Sequence, residues 1–362
     1  VQMVAGSIKY VQAGDGYTTV SMEIRVYPAG LVPVLAAITT VAGATLSGTA
    51  PAGATVEIVV GTTTLSVVAS GAGTWSAEVP ALAGDYDAQV RAVVGGSARP
   101  WSVPRRVTIG MQAATSSLLA RMTVAPSAGR AGAINSLMVQ LSAAGVLAKL
   151  DLLYILAAHD AQAARLNWAS AAYDLAVAGA PTFVVDRGYA GAANAWLASG
   201  YNPATNGVRY TRNSAHVGAW DLTNRAGANV IPAGVSSNTS LQCAVMPRTT
   251  GDLAWINVND QGAALGAVTR SDGLTLGSRL DAATRSNYRD ATLLGTASAA
   301  SISVPSVPLD LLCWSISGGT SRIYWCTDRI AVFTMGAGLT STEVAAYHGA
   351  LRTYLQTVGA VA

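Results

Sequence analysis

The residue types best suited to recognising a sugar are concentrated between positions 201 and 220. Aromatic rings can stack on the C–H faces of a sugar, and arginine or amide groups can fork onto its hydroxyls. The candidate glycan-binding residues are Tyr201, Asn202, Arg209, Tyr210, Arg212, Asn213, His216 and Trp220. The alternative interpretation places Tyr210 and Trp220 in a hydrophobic core and the other residues in a solvated loop.

A second cluster offers the hard oxygen ligands that calcium prefers. Asn257, Asn259 and Asp260 follow one another closely, and their amide and carboxylate oxygens could meet at the end of a strand. The sequence therefore contains one candidate calcium site, against the alternative of an ordinary polar turn. No other cofactor is expected.

The acidic residues do not predict a catalytic pair. A glycosidase needs two carboxylates placed across the sugar, but Glu343 is the only glutamate after position 131, and it is better explained as a helix cap. The twelve aspartates in the same stretch do not alternate in a way that would put two of them on one strand face. A Gly-x-Ser-x-Gly motif is missing, and the three histidines are far apart in sequence. These observations predict that the chain is not an enzyme.

Composition narrows the class of protein. Hydrophobic residues make up 51% of the 362 residues and charged residues 11%, so the chain has ample apolar surface to bury. The net charge of +3 comes from scattered basic residues, which argues against nucleic-acid binding. The apolar runs are too short for a membrane span. Cys243, Cys313 and Cys326 are too few for a disulfide framework and are expected to be buried free thiols.

The pattern of apolar residues and turns predicts a mainly β protein of two sandwiches. Strand-like runs recur every 8–12 residues between 45 and 92, a spacing typical of an Ig-like sandwich. Thr340 and Glu343 fit the capping box of a final helix. The predicted organisation is a β-hairpin at 1–30 that completes another sheet or subunit, an Ig-like β-sandwich at 31–110, a linker at 111–130, a helical hairpin at 131–170, and a second β-sandwich with a closing helix at 171–362.

The first sandwich resembles the bacterial Ig-like repeat family. The resemblance rests on the segment from Ser47 to Val56, on Gly73-Thr74-Trp75 and on Val79-Pro80-Ala81-Leu82. It implies a spacer or stalk without catalytic residues, in which Trp75 is a packing residue.

The rest of the chain resembles the concanavalin-A-like (laminin-G-like) jelly-roll domains of phage tail and virion surface proteins. The resemblance rests on the stretches 147–154, 162–168, 181–189, 199–203, 287–295 and 330–343. It implies a two-sheet antiparallel sandwich, which many such proteins use to bind host-surface glycans.

Together these observations predict a structural component of a phage-type particle, such as a fibre, spike or tail surface protein, whose lectin-like domain binds host cell-surface polysaccharide. Two alternatives remain: a decoration protein of the virion without glycan binding, and a secreted bacterial adhesin at the cell surface. The expected partners are other virion proteins and further copies of the chain, with a trimer favoured because sparse charge and an unpaired hairpin both favour association. The expected location is the virion surface, after synthesis in the host cytoplasm.

Overall fold

The computed structural model of the protein describes residues 36–42, 45–79, 84–226, 229–238, 241–262, 266–316 and 321–362. The predicted hairpin at 1–30 lies outside the described residues. The chain divides into two units: unit 1 runs up to Val79 and includes Gly84–Gly110, and unit 2 consists mainly of Met111–Ala362.

Unit 1 is built from antiparallel strands in two sheets. The described strands are β1 (Ala37–Ala42), β2 (Thr45–Thr49), β3 (Thr55–Val60), β4 (Thr63–Val68), β5 (Thr74–Glu78), β6 (Gly84–Val94), β7 (Ser97–Ala98) and β8 (Arg105–Ile109). One sheet has the order β1-β2-β5, and the other has the order β4-β3-β6-β7 with β8 also paired to β6.

Burial in unit 1 alternates as a two-sheet sandwich requires. Val56, Ile58 and Val60 of β3 are fully buried, while the residues between them are half-buried. Trp75 is also buried, and its indole N–H donates to the carbonyl oxygen of Thr49 at 3.2 Å. Trp75 is therefore the packing residue that the sequence predicts.

Unit 2 begins with helices and continues as a larger β-sandwich. Its helices are α1 (Ala113–Leu119), α2 (Ala128–Ala143), α3 (Pro203–Asn206) and α4 (Ser341–Thr357). Its described strands are β9 (Leu150–Ile155), β10 (Ala176–Ala178), β11 (Thr182–Val184), β12 (Gly188–Ala190), β13 (Trp196–Ala198), β14 (Ala215–Asp221), β15 (Ala233–Asn238), β16 (Leu241–Met246), β17 (Trp255–Asp260), β18 (Gly273–Arg279), β19 (Thr284–Arg289), β20 (Thr292–Ser298), β21 (Asp310–Leu311), β22 (Trp314–Ile316), β23 (Ser321–Ile323) and β24 (Arg329–Gly336). Single 3-10 turns lie at Leu147–Lys149 and Ala163–Arg165.

The strands of unit 2 form two eight-stranded sheets. Sheet I has the order β10-β13-β21-β15-β16-β17, with β22 and β23 added beside β15. Sheet II has the order β11-β12-β24-β14-β18-β19-β20, with β9 also paired to β24. Strands β14 and β18 of sheet II face β16 and β17 of sheet I. This mainly β, two-sheet architecture confirms the predicted fold class.

The closing helix is also confirmed. The Thr340 hydroxyl accepts from the Glu343 amide at 3.3 Å, and the Glu343 carboxylate accepts from the Thr340 amide at 2.8 Å, which completes the capping box. The apolar face of α4 is buried and packs against α2. On the adjoining surface, Trp168 meets Tyr354 of α4 edge to face, with ring centroids 5.7 Å apart.

The prediction of a helical hairpin at 131–170 is wrong in its second half. The segment expected to be its second helix is strand β9, which pairs with β24 from Ile155 opposite Val332 to Leu150 opposite Gly336. All residues from Leu152 to Ala158 are buried, so this run faces protein on both sides, and an apolar run of that kind cannot distinguish strand from helix.

The helix pair that precedes the sandwich is instead α1 and α2. Helix α1 lies inside the segment 111–130, which the sequence predicts to be a linker. The amide of Gln112, just before α1, donates to the side-chain oxygen of Asn135 on α2 at 2.9 Å. This correction has a compositional cause, because the small and polar residues of α1 lack a clear apolar stripe.

Two further predictions concern the cysteines and the membrane. Cys243, Cys313 and Cys326 are buried free thiols, as predicted. Burial raises the pKa of Cys243 to about 12, which leaves its thiol protonated and unreactive. Among the described residues, none of the helices is long and apolar enough to cross a bilayer.

Candidate functional site

The rings of the predicted glycan site are buried in the sandwich. Tyr201, Tyr210 and His216 are at most 2% exposed, and Trp220 is 4% exposed. The Tyr201 hydroxyl donates to Asp151 at 2.9 Å, and the Tyr210 hydroxyl donates to Asn259 at 2.7 Å. The expectation that these rings form a sugar-stacking surface is therefore corrected, because packing covers their faces.

His216 illustrates the structural role of this segment. Its Nδ1 contacts the carbonyl oxygen of Ala337 at 2.5 Å, which makes Nδ1 the protonated nitrogen, and its Nε2 accepts from the Thr334 hydroxyl at 3.0 Å. Burial lowers the pKa of His216 to about 4. The imidazole is therefore neutral at physiological pH and serves as a cross-strand hydrogen-bonding group.

The remaining residues of the predicted site hold the loop between α3 and β14 in place. Asn202 caps α3 by accepting from the Ala204 amide at 3.1 Å, and Arg209 contributes its backbone amide to Asp151 at 2.9 Å. The exposed side chains of Arg212 and Asn213 both bond to Ser301. The half-buried Asp151 organises this segment, although the sequence gives no signal that a residue so far upstream does so.

The predicted calcium ligands are engaged by protein donors. The Asp260 carboxylate receives Arg279 on one oxygen and Arg285 on the other, each at 2.6 Å. The side-chain oxygen of Asn257 accepts from Arg285 at 2.9 Å, and that of Asn259 accepts from Tyr210. Two guanidinium groups occupy the position where a cation would have to bind, so the geometry of this cluster gives the calcium expectation no support.

Burial dominates the electrostatics of this cluster. The side chains of Arg279 and Arg285 are fully buried. Burial raises the pKa of Asp260 despite the two arginines, and it lowers the pKa of Arg285. Among the described residues, no three His, Cys, Asp or Glu side chains lie close enough together to hold a metal ion.

A cavity of about 780 Å³ opens elsewhere on unit 2, at one end of sheet II. We call it the charged pocket. It is formed by the end of β14, the loop before β18, the turn between β19 and β20, the last two turns of α4 and the residues after that helix. Its polar lining consists of Asp221, Thr269, Arg270, Asp272, Arg289, Asp290, Thr292, His348 and Arg352, with Trp220 among its apolar residues.

One of the arginines, Arg289, is fixed in place, and a second, Arg270, is paired but has a side chain that is 67% exposed. Arg289 donates to the backbone carbonyls of Ser271 at 3.0 Å, Asp272 at 3.2 Å, Pro247 at 2.7 Å and Arg270 at 3.0 Å. Arg270 forms a two-contact ion pair with Asp272, one contact being 2.8 Å long. The hydrogen bond from Arg270 lowers the pKa of Asp272, which keeps that carboxylate charged.

Asp290 is held with comparable rigidity on the opposite side. One of its carboxylate oxygens accepts from the Leu274 amide at 2.7 Å and lies 3.7 Å from Nε2 of His348. Gly273 makes room for this carboxylate, because a Cβ there would lie 2.5 Å from the same oxygen and the residue has a φ of +102°. His348 in turn stacks on Trp220 with ring centroids 5.3 Å apart.

The charged pocket thus places cationic donors and anionic acceptors side by side around one cavity. Trp220 is the one predicted site residue that lines it. Apart from its neighbours Asp221 and Leu222, the other lining residues lie between Ala267 and Ala362, and no local spacing links them to Trp220. The pair Arg270 and Asp272 is the only part that a charge-pattern search could have found.

A second feature missed from the sequence is a cluster of partly exposed rings on sheet I, which we call the aromatic surface. Trp314 lies 5.7 Å from both Trp255 and Tyr324, and Trp196 lies 6.0 Å from Trp325, all measured between ring centroids. Arg322 covers the ring of Trp196 at 4.2 Å and is paired with the buried Asp310 at 2.7 Å.

Comparison with known proteins gives only distant likenesses. No protein-family model matches the chain, and no curated protein matches it. Domain 4 of an extracellular family 43 arabinanase from Geobacillus stearothermophilus, solved with arabinotriose, is 10% identical with a TM-score of 0.38, over 55% of this chain and 98% of the other. A Trypanosoma rangeli sialidase mutant with trans-sialidase activity is 9% identical with a TM-score of 0.36, over 75% and 43%. The Trypanosoma rangeli sialidase in complex with a difluoro-KDN ligand is 9% identical with a TM-score of 0.37, over 73% of this chain and 43% of the other.

These likenesses are too weak to assign an activity. The chain spans less than half the length of the sialidase chains that it matches. Each of the three matched proteins is named as a carbohydrate-active enzyme or as a domain of one. None of the three is a phage protein.

The prediction that the chain is not an enzyme does not stand. The premise of the prediction is wrong, because it considered only carboxylates that share one strand face. The fold brings Asp272 and Asp290, which are distant in sequence, into the lining of one pocket.

Proposed function

We propose that unit 2 binds a carbohydrate in the charged pocket. The observation that carries this proposal is the arrangement of arginine and aspartate side chains around a cavity of about 780 Å³, with Arg289 and Asp290 held by backbone groups. A sugar presents neighbouring hydroxyls that can each donate and accept, so it matches a lining that alternates N–H donors with carboxylate acceptors. The volume lies within the range of about 300–1,000 Å³ that is usual for small-molecule sites.

Rigidity of the lining supports the same proposal. Arg289 is held by four backbone carbonyls, and Asp290 is held by the Leu274 amide. Because these groups are already ordered, binding loses little side-chain entropy there. The pocket can therefore bind a polar ligand through a few well-placed hydrogen bonds, without a large apolar contact.

We propose further that this binding serves attachment of a phage-type particle to host polysaccharide, with the chain on the particle surface as a homo-oligomer. The support is the sequence resemblance to phage tail and virion proteins. Antibody labelling of purified particles tests the location, and light scattering of the purified chain tests for a trimer. Labelling of a bacterial surface would favour the adhesin alternative, and particle labelling without glycan binding would favour the decoration alternative.

The binding proposal is tested with the full chain on a glycan array, followed by calorimetry on the bound sugars. The pocket variant is Asp272→Asn combined with Asp290→Asn, in which the amides keep the shape and one acceptor of each carboxylate. Tyr324→Ser on the aromatic surface is the matched control, because that ring is 42% exposed. Loss of two charged acceptors should weaken binding by about tenfold or more, and the control should bind normally.

The opposite pattern, with binding lost in the control and kept in the pocket variant, would move the site to the aromatic surface. The same incubations are assayed for newly formed reducing ends. Release of sugar by the parent chain that disappears in the pocket variant would identify the two aspartates as catalytic.

A further inference from the structure

We infer that the charged pocket selects a sugar that carries a carboxylate, and that Arg352 of α4 is the group that recognises it. This inference rests on the proposed function, since it names the class of carbohydrate that the same pocket would bind. It depends on which charged groups of the lining already have hydrogen-bond or ion-pair partners within the protein and which do not.

Most of the charged lining is internally paired. Arg270 and Asp272 neutralise each other, and Arg289 is committed to four backbone carbonyls. Asp290 accepts from Leu274 and faces His348. The carboxylates can still accept a second hydrogen bond from a ligand and the arginines can still donate one, but each of these groups already has partners within the protein.

Arg352 is different. It lies one helical turn beyond His348 on α4, lines the pocket and is exposed. Among the contacts of the described residues, it takes part in no hydrogen bond and no ion pair. Its guanidinium therefore brings a positive charge and five N–H donors to the pocket lining without a protein acceptor among the described residues.

The charges that line the pocket also favour an anionic ligand. Three arginines, Arg270, Arg289 and Arg352, line it together with the ionised Asp272 and with Asp290. The third acid, Asp221, is buried, and its burial together with the neighbouring Asp328 raises its pKa. Arg352 is thus an exposed cation of the lining without an ion-pair partner among the described residues, and an anionic ligand would neutralise its charge.

A planar carboxylate is the ligand group that best fits a guanidinium, because two parallel N–H···O bonds can form at once. A neutral sugar hydroxyl can make only single, uncharged bonds at the same place. The pocket should therefore prefer uronic or other carboxylate sugars over the same sugars with the charge removed. The preference should be about tenfold or more, as charge-assisted hydrogen bonds are roughly twice as strong as neutral ones.

The test compares oligomers of galacturonate, glucuronate and mannuronate, and sialylated oligosaccharides, each with its methyl ester, which keeps the ring and removes the charge. Calorimetry uses the full chain, the variant Arg352→Gln and the control Arg99→Gln. Arg99 is likewise exposed, is not among the predicted glycan-binding residues and lies outside the pocket lining, so both variants remove one surface cation and should fold.

We expect the parent chain and Arg99→Gln to bind at least one acid about tenfold or more tightly than its ester, and Arg352→Gln to lose that preference. Equal affinity for acid and ester in the parent chain, with binding lost in the pocket variant Asp272→Asn/Asp290→Asn, would overturn the inference and leave the proposed function standing. An acid preference unchanged in Arg352→Gln would overturn the role of Arg352. Absence of binding to every acid, ester and array glycan would overturn both.

Discussion

Removing the charge of Asp260 should be among the most destabilising single changes in unit 2. Its carboxylate is 2% exposed and joins two fully buried guanidinium groups, Arg279 and Arg285, at 2.6 Å each. In Asp260→Asn one oxygen still accepts, but the new amide N–H₂ group faces an arginine as donor against donor. Two buried cations then lack a counter-charge. Breaking a buried ion pair in this way costs about 3–5 kcal/mol of unfolding free energy, a large part of the ~5–15 kcal/mol of a typical domain.

Native-state hydrogen exchange measured by mass spectrometry is the suitable assay, because it reads opening of unit 2 within the full chain. Peptides that cover β17, β18 and β19 should lose about 3–5 kcal/mol of protection. Asp252→Asn is the control, since Asp252 pairs with Arg248 at 2.7 Å but its side chain is 58% exposed. An exposed pair is worth only about 0–1 kcal/mol.

Equal losses of protection in Asp260→Asn and Asp252→Asn would refute the buried ion-pair argument. Calcium gives a second refutation. If added calcium raised the protection of the parent chain and Asp260→Asn abolished that effect, the cluster would be a metal site rather than an arginine-bridged carboxylate.

The remaining predictions concern acid, backbone and helix stability. Burial lowers the pKa of His216 to about 4, so the folded state resists a protonation that the unfolded state accepts below about pH 6.5. The free energy of unfolding should therefore fall by roughly 3 kcal/mol as the pH drops from about 6.5 to 4. Urea melts of the parent chain and of His216→Asn across this pH range should differ by that amount. Gly273→Ala should lower the free energy of unfolding by about 1–3 kcal/mol and weaken sugar binding, since Gly273 has a φ of +102°. The control Gly349→Ala, whose added Cβ would lie in open space on α4, should be neutral or stabilising in the same urea melts. Thr340→Ala should cost about 1 kcal/mol and Thr340→Ser little, as read by hydrogen exchange of α4; equal losses would contradict the capping argument.

Features governed by neighbours in sequence could be predicted. The strand β3 follows from alternation of Val56, Ile58 and Val60 with polar or half-buried neighbours. The start of α4 follows from Thr340 and Glu343, three positions apart. In both cases the physical cause lies within a few residues of the element itself.

Features governed by distant partners could not be predicted. β9 was mistaken for a helix because its burial on both faces depends on β24, almost 180 residues later. The segment around Asp260 predicts a calcium site because its ion-pair partners cannot be recognised from the local sequence. These partners, Arg279 and Arg285, lie on the two following strands. The charged pocket depends on side chains from β14, the β18 and β19 ends and α4, and only the folded chain brings them together.

The most direct test of the central claim is a crystal structure of the full chain with a sugar that the glycan array identifies. We expect the sugar to occupy the charged pocket, with its oxygens within hydrogen-bond distance of Asp290 and of Arg352. A sugar bound instead on the aromatic surface, with the charged pocket filled only by solvent, would contradict the account.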